Sequence, residues 1–211
     1  YRTQTAASVE ASWTELMALG PSHISIYGLS VEPGTVLSHN LRQGRWILPT
    51  DDETGNMYDL IMDRLVKGGY ERYEISNFAK AGDKSRHNLV YWHYNPYLAF
   101  GAGATRFDGR TRENNPAYLA AYERGEAPEI ECLSPAVQRE EMIFMNLRTV
   151  RGLSLLDYEA RFGRSFAFDY GPQIENLIHK GWAKWEDGHF CLTPLGMQYG
   201  NLAFEAFITT D

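Results

Sequence analysis

The sequence predicts an α/β protein built in two differently organised parts, and two patterns carry that prediction. The opening stretch alternates helical and strand-like patterns with short loops, the grammar of a parallel βα layer or barrel rather than of a bundle. The last third instead carries three helical patterns and then a strand hairpin, a mostly helical, winged-helix-like order. With 211 residues, 44% hydrophobic and 13% aromatic, the chain can bury a real core.

Each element follows from local signals. Residues 6–19 set Val9, Trp13, Leu16 and Met17 at helical spacing and stop at Gly20-Pro21, and the apolar run from His23 to Val31 reads as a strand. A second helix starts after Thr50-Asp51-Asp52, where carboxylates suit the positive helix end, and presents Met57, Leu60, Ile61 and Leu65 before Gly68-Gly69. Tyr70 to Phe78 reads as the next strand. From Asn88 to Asn115 the pattern turns aromatic and β-prone, broken by Asn95-Pro96, by Gly101-Ala-Gly103 and by the hairpin signal Asp108-Gly109. Pro116 opens a short helix ending at Gly125, and Ala127-Pro128 reads as a hinge, which divides the chain into domains 1–127 and 128–211.

The second domain opens on Ser134-Pro135, an N-cap followed by proline at the first helical position. Val137, Met142, Ile143, Met145 and Leu147 are its first helix's core candidates. Helical patterns near 154–162 and 169–180 follow, then two strands around Asp187-Gly188, and a last helix over 193–207.

Composition excludes several functions. A formal charge of −7 argues against a partner recognised through its phosphates, so nucleic acid is not an expected ligand. No apolar run approaches the roughly 20 residues that span a bilayer, and Tyr1-Arg-Thr-Gln-Thr5 has no hydrophobic signal core, so a cytoplasmic location is expected. The two cysteines, Cys132 and Cys191, lie far apart without partners at metal-ligand spacing. Each reads most simply as a small buried apolar residue.

Three segments carry candidate chemistry. In His87-Asn-Leu-Val-Tyr-Trp92, strand alternation would place His87, Leu89 and Tyr91 on one face and Asn88, Val90 and Trp92 on the other. A neutral imidazole at a pocket edge can ligate iron, and aromatic neighbours supply flat apolar walls. From spacing alone, a half-buried histidine holding a backbone carbonyl is the simpler assignment. Gly101-Ala-Gly-Ala-Thr105 lets backbone approach a ligand closely, but the third glycine and helix of a dinucleotide fingerprint are missing, and a tight packing turn is the simpler reading. Tyr73-Glu-Ile-Ser-Asn-Phe-Ala79 mixes apolar positions with Glu74, Ser76 and Asn77, which points equally to a lined cavity or to a structural hydrogen-bond network.

Their succession is more specific than any one of them. Glu32-Pro-Gly-Thr35, Tyr70-Glu-Arg-Tyr-Glu-Ile-Ser-Asn-Phe-Ala79, Arg86-His-Asn-Leu-Val-Tyr-Trp92, Gly101-Ala-Gly-Ala104, Asn146-Leu-Arg-Thr-Val-Arg-Gly152 and Leu192-Thr-Pro-Leu-Gly196 follow in order over nearly the whole chain. This resembles the second half of the HemW family, the radical-SAM heme chaperones related to oxygen-independent coproporphyrinogen III oxidase.

The resemblance implies the second half of a partial radical-SAM, TIM-like βα barrel followed by a winged-helix-like C-terminal domain. It implies heme as ligand, with S-adenosylmethionine and a [4Fe-4S] cluster bound by a Cys-x3-Cys-x2-Cys motif in intact members. Its HNxxYW motif, here His87, Asn88, Tyr91 and Trp92, marks heme chaperones, with His87 the candidate ligand of heme iron. Ser30 and Thr105 fall near positions that line the S-adenosylmethionine site in related oxidases. Heme-acceptor proteins are the implied partners, together with peripheral membrane association. The other activity the resemblance allows is oxidative decarboxylation of coproporphyrinogen III.

Two departures stand out. The family has His-Ser after its Gly-Ala, where this chain has Thr105-Arg106. The first half of the barrel and its cysteine motif have no counterpart among the 211 residues, so either a portion of a longer protein or a shortened gene product is expected.

Overall fold

The computed structural model describes residues 3–208 and divides into two compact units, one up to Lys84 and one from Ser85 onward.

In the first unit, α1 (Ala6–Ala18) begins at Thr5, whose side chain accepts a hydrogen bond from the Ser8 amide while Ser8 caps Thr5 in return. After β1 (His23–Ser25) come α2 (Val36–Arg42), which the sequence reading did not anticipate, and α3 (Asp51–Lys67). Thr50 and Glu53 form the capping box of α3, and Glu53 accepts the Thr50 amide at 2.8 Å. β2 (Glu71–Arg72) and β3 (Asn77–Ala79) complete a sheet of order β1-β3-β2.

That sheet corrects two expectations. The run from His23 to Val31 is a strand only as far as Ser25, and Tyr70 to Phe78 is two short strands, not one. Every pairing is antiparallel, where the alternation of helix and strand predicts parallel neighbours. The reversal is built from the polar residues of the run itself. Glu74, fully buried, accepts the Ser76 amide at 2.6 Å and the Asn77 side-chain amide at 2.5 Å, which closes the turn. Asn77 Oδ1 accepts in turn from the Ser25 hydroxyl on β1 at 2.5 Å. Of the two alternatives for this segment, the residues form the hydrogen-bond network. Ile24, Leu65, Tyr70 and Phe78 make the unit's core, packed by Trp13, Leu16, Met17, Ile26 and Met62.

The second unit begins with α4 (Arg86–Trp92) and continues through β4 (Thr105–Phe107), β5 (Thr111–Asn114), α5 (Leu119–Glu123) and β6 (Glu129–Cys132), with antiparallel order β4-β5-β6. Asp108 makes the expected hairpin turn: its Oδ1 accepts from the amides of Thr111 at 2.7 Å and Arg110 at 2.8 Å, which holds the carboxyl below its usual range. Then follow α6 (Pro135–Leu147), β7 (Leu153–Ser154), α7 (Leu155–Phe162), α8 (Phe166–His179), β8 (Ala183–Glu186) and β9 (His189–Leu192), with sheet order β7-β9-β8. Helix, short strand, two helices and a two-stranded wing is the winged-helix-like order that the sequence predicts.

The boundary differs from the expected 127. Arg112 on β5 pairs with Glu141 on α6, and the Tyr94 hydroxyl donates to Glu141 at 2.9 Å, so the stretch after Ser85 is tied to the helices that follow it. The expected last helix is two, α9 (Pro194–Gln198) and α10 (Gly200–Glu205), separated where Tyr199 leaves helical geometry. α8 starts at Phe166 rather than Asp169 and kinks at Tyr170, just ahead of Gly171-Pro172, where proline removes a donor. Phe166, Phe190, Tyr158 and Phe207 are almost fully buried and form an aromatic core, with Phe166–Phe190 centroids 5.3 Å apart. Among the described residues no helix is long and apolar enough to cross a membrane.

Two glycines are set by close packing. A Cβ on Gly152 would lie 2.2 Å from the Phe190 carbonyl oxygen, and one on Gly196 would lie 1.8 Å from that of Trp182. Gly152→Ala and Gly196→Ala should each destabilise the protein by about 3 kcal/mol, the upper end of ordinary overpacking, measured by denaturant unfolding; unfolding midpoints matching wild type would refute this. The cysteines also differ from expectation, since Cys191 is buried whereas Cys132, at the end of the edge strand β6, is exposed. Burial raises the Cys191 thiol's pKa and keeps it protonated. A thiol reagent should therefore label Cys132 promptly and Cys191 only on unfolding, as mass spectrometry of a timed reaction would read.

Candidate functional site

The segment 86–92 is a helix and not a strand. Its start is fixed by Ser85, whose Oγ accepts the Asn88 amide at 3.2 Å, and it ends at His93 before Asn95-Pro96. Helical geometry replaces the expected alternation: His87 and Tyr91, four residues apart, share a face and meet edge to face at 5.0 Å, while Leu89 turns away from them. Tyr91 meets Tyr97 at 4.6 Å, so three rings run in series from the helix to the next segment.

His87 is exposed, and among the described residues neither of its ring nitrogens has a hydrogen-bond partner. The simpler assignment from spacing, a histidine holding a backbone carbonyl, is not what the structure contains. A free nitrogen on a solvent-facing imidazole beside a phenol ring is chemically suited to an axial bond to heme iron. Asn88 is half-buried on an adjacent face. Trp92 packs with the Arg148 guanidinium 4.6 Å from its ring centroid, and its Nε1 is buried with no hydrogen-bond partner among the described residues. The motif thus divides: His87 faces outward with Tyr91 half-buried beside it, while Trp92 turns toward Arg148.

The helix is held from below by Tyr94, one of two non-glycine residues at positive φ among the described residues. Its ring lies 4.8 Å from Phe107 and 4.7 Å from the Arg161 guanidinium carbon. Burial, followed by the hydrogen bond to Glu141, raises its phenol well above the ordinary range. The sequence reading missed Tyr94, although its place directly after the motif and before Asn95-Pro96 marks a tight exit from the helix.

The two residues expected near S-adenosylmethionine fall in different units. Ser30 is exposed on the loop after β1. A hollow of about 480 Å³ in that unit is framed by α1, α3 and residues 25–29, with Trp13, Tyr27 and Tyr58 among its walls, and includes Ser30's neighbour Leu29 but not Ser30. Thr105 lies on β4, where its hydroxyl donates to Asn114 at 2.6 Å. The donor set for an iron-sulfur cluster does not fit these residues, since the chain has two cysteines and no group of three His, Cys, Asp or Glu side chains is placed for a metal among the described residues.

Comparison with known proteins bears on what this geometry serves. Residues 133–199 match the HemN C-terminal domain family. The Heme chaperone HemW of Lactococcus lactis is 34% identical over 99% of this chain and 56% of its own length, and that of Bacillus subtilis 35% identical over 97% and 56%. The chain is thus similar in sequence to HemW heme chaperones over nearly its whole length. It spans just over half the length of these curated relatives. In fold it is similar to the Escherichia coli radical-SAM enzyme coproporphyrinogen III oxidase (HemN), with a TM-score of 0.75 at 16% identity, over 98% of this chain and 52% of that one. The HemW resemblance and the expected fold class are therefore borne out.

Tyr94→Phe removes the hydroxyl that donates to Glu141 but leaves that carboxylate its Arg112 partner. It should lower stability by about 1 kcal/mol, the usual worth of one such bond, read by denaturant unfolding; a stabilised variant would contradict the anchoring role.

Proposed function

We propose that this chain is the heme-binding portion of a heme chaperone that delivers heme to acceptor proteins. The observation that carries the reading is His87, an exposed imidazole with both nitrogens free among the described residues, set edge to face against Tyr91 inside a complete HNxxYW motif. Neutral imidazole is a strong ligand for heme iron, and the phenol rings of Tyr91 and Tyr97 offer apolar surface beside it. Asn88 and Trp92 belong to the same site, with Trp92 supporting the helix through Arg148.

S-adenosylmethionine and an iron-sulfur cluster, which the likeness to HemW proteins implies, complete the assignment for the whole protein. When bound, that pair would supply radical chemistry, and no step of it falls to side chains described above. The oxidase alternative draws on fold likeness at 16% identity, whereas the chaperone reading draws on relatives more than twice as similar in sequence.

Ferric heme titrated into the protein should give a Soret band characteristic of histidine ligation, and His87→Ala should shift that band and weaken affinity by about tenfold, or about 1.4 kcal/mol. Identical spectra and affinities for the two proteins would remove His87 from the role. Steady formation of protoporphyrinogen by the reconstituted protein would favour the oxidase instead.

A further inference from the structure

A hollow of about 410 Å³ adjoins the ring series at Tyr97 and is lined by Pro96, Tyr97, Leu98, Arg106, Phe107 and Asp108. Its base is Phe107, 3% exposed, and its lip is Leu98, 71% exposed. The wall is fixed by backbone: the Tyr97 amide donates to the Phe107 carbonyl at 2.8 Å and the Phe107 amide to the Tyr97 carbonyl at 3.0 Å. Such a wall presents an apolar edge without having to order flexible side chains on binding. Tyr97 also stands 4.6 Å from Tyr91, so the hollow and the His87 face share one run of rings.

Of the lining residues only Arg106 is a cation. It reaches across the hairpin to Glu113, and 45% of its side chain remains exposed. The anionic lining group, Asp108, is turned into the hairpin, where it accepts the Arg110 and Thr111 amides. An exposed cross-strand ion pair is weak, roughly 0.2–1 kcal/mol, and a guanidinium carries five donors, more than one carboxylate can use. Arg106 can therefore accept a second carboxylate from a ligand seated in the hollow.

We propose that this hollow is the second element of the tetrapyrrole site, in which the edge of the macrocycle rests on Tyr97 and Leu98 and Arg106 binds a propionate carboxylate. The proposal rests on the heme-binding reading and adds recognition of the ligand's anionic edge, independent of its iron. Metal-free protoporphyrin IX and its dimethyl ester separate the two ideas, because neither offers an axial bond to His87 and only the first carries charge. Fluorescence titration should show Arg106→Gln weakening the diacid about tenfold, Arg106→Lys recovering part of that loss, and the diester unaffected by either. Leu98→Asp, at an exposed position, should weaken both porphyrins. Equal affinity of wild type and Arg106→Gln for the diacid, or equal losses for diacid and diester, would overturn the carboxylate contact. Failure of His87→Ala to alter the ferric heme spectrum would instead sink the axial assignment and leave the Arg106 result standing. Absence of porphyrin binding to any of these proteins would overturn both.

Discussion

The second unit is organised around the buried ring of Tyr94. Its hydroxyl reaches Glu141 on α6, its face meets the Arg161 guanidinium from α7, and its ring packs at a tilt against Phe107 on β4. A left-handed backbone at a residue with a Cβ costs roughly 1–2 kcal/mol, and such a conformation persists where surrounding contacts fix it. Those contacts join three elements to the exit of α4. The residue just after the cap of the motif helix therefore fixes how that helix leaves into the next segment.

That arrangement separates the motif's residues by task. His87 is left on the solvent side, while Tyr91 and Trp92 are half-buried and Trp92 packs beside Arg148. The first unit uses polar groups differently: buried Glu74 and Asn77 close a turn, and Asn77 with the exposed Ser25 ties two strands. Buried polar groups need partners, and here most of the segment's hydrogen-bonding capacity is spent on the fold.

Much of the architecture was legible from local chemistry. Asp51 and Asp52 after Thr50, Ser134 with Pro135, and the Asp-Gly pairs at 108 and 187 each act within three or four residues, so their signals survive without knowledge of the rest of the chain. The misreadings share a physical origin. His87 to Trp92 is aromatic enough to suggest a strand, but the Ser85 cap selects a helix. Tyr70 to Phe78 has the composition of one strand, yet a single buried carboxylate folds it back on itself. Cys132 was expected inside because free cysteine usually is, and it lies instead at the end of an exposed edge strand.

By itself, the sequence determined the class of fold, the winged-helix-like order of its last third, the likeness to HemW proteins, and the identity of the motif residues, because caps, turns and ordered motifs are written in contiguous residues. Only the tertiary structure decided that His87 keeps free nitrogens, that Tyr97 and Phe107 wall a hollow beside Arg106, and that the compact units divide after Lys84. Those outcomes depend on contacts between residues far apart in the chain, such as Arg112 with Glu141, and the spacing of residues along a chain carries no record of which distant partners its folding will bring together.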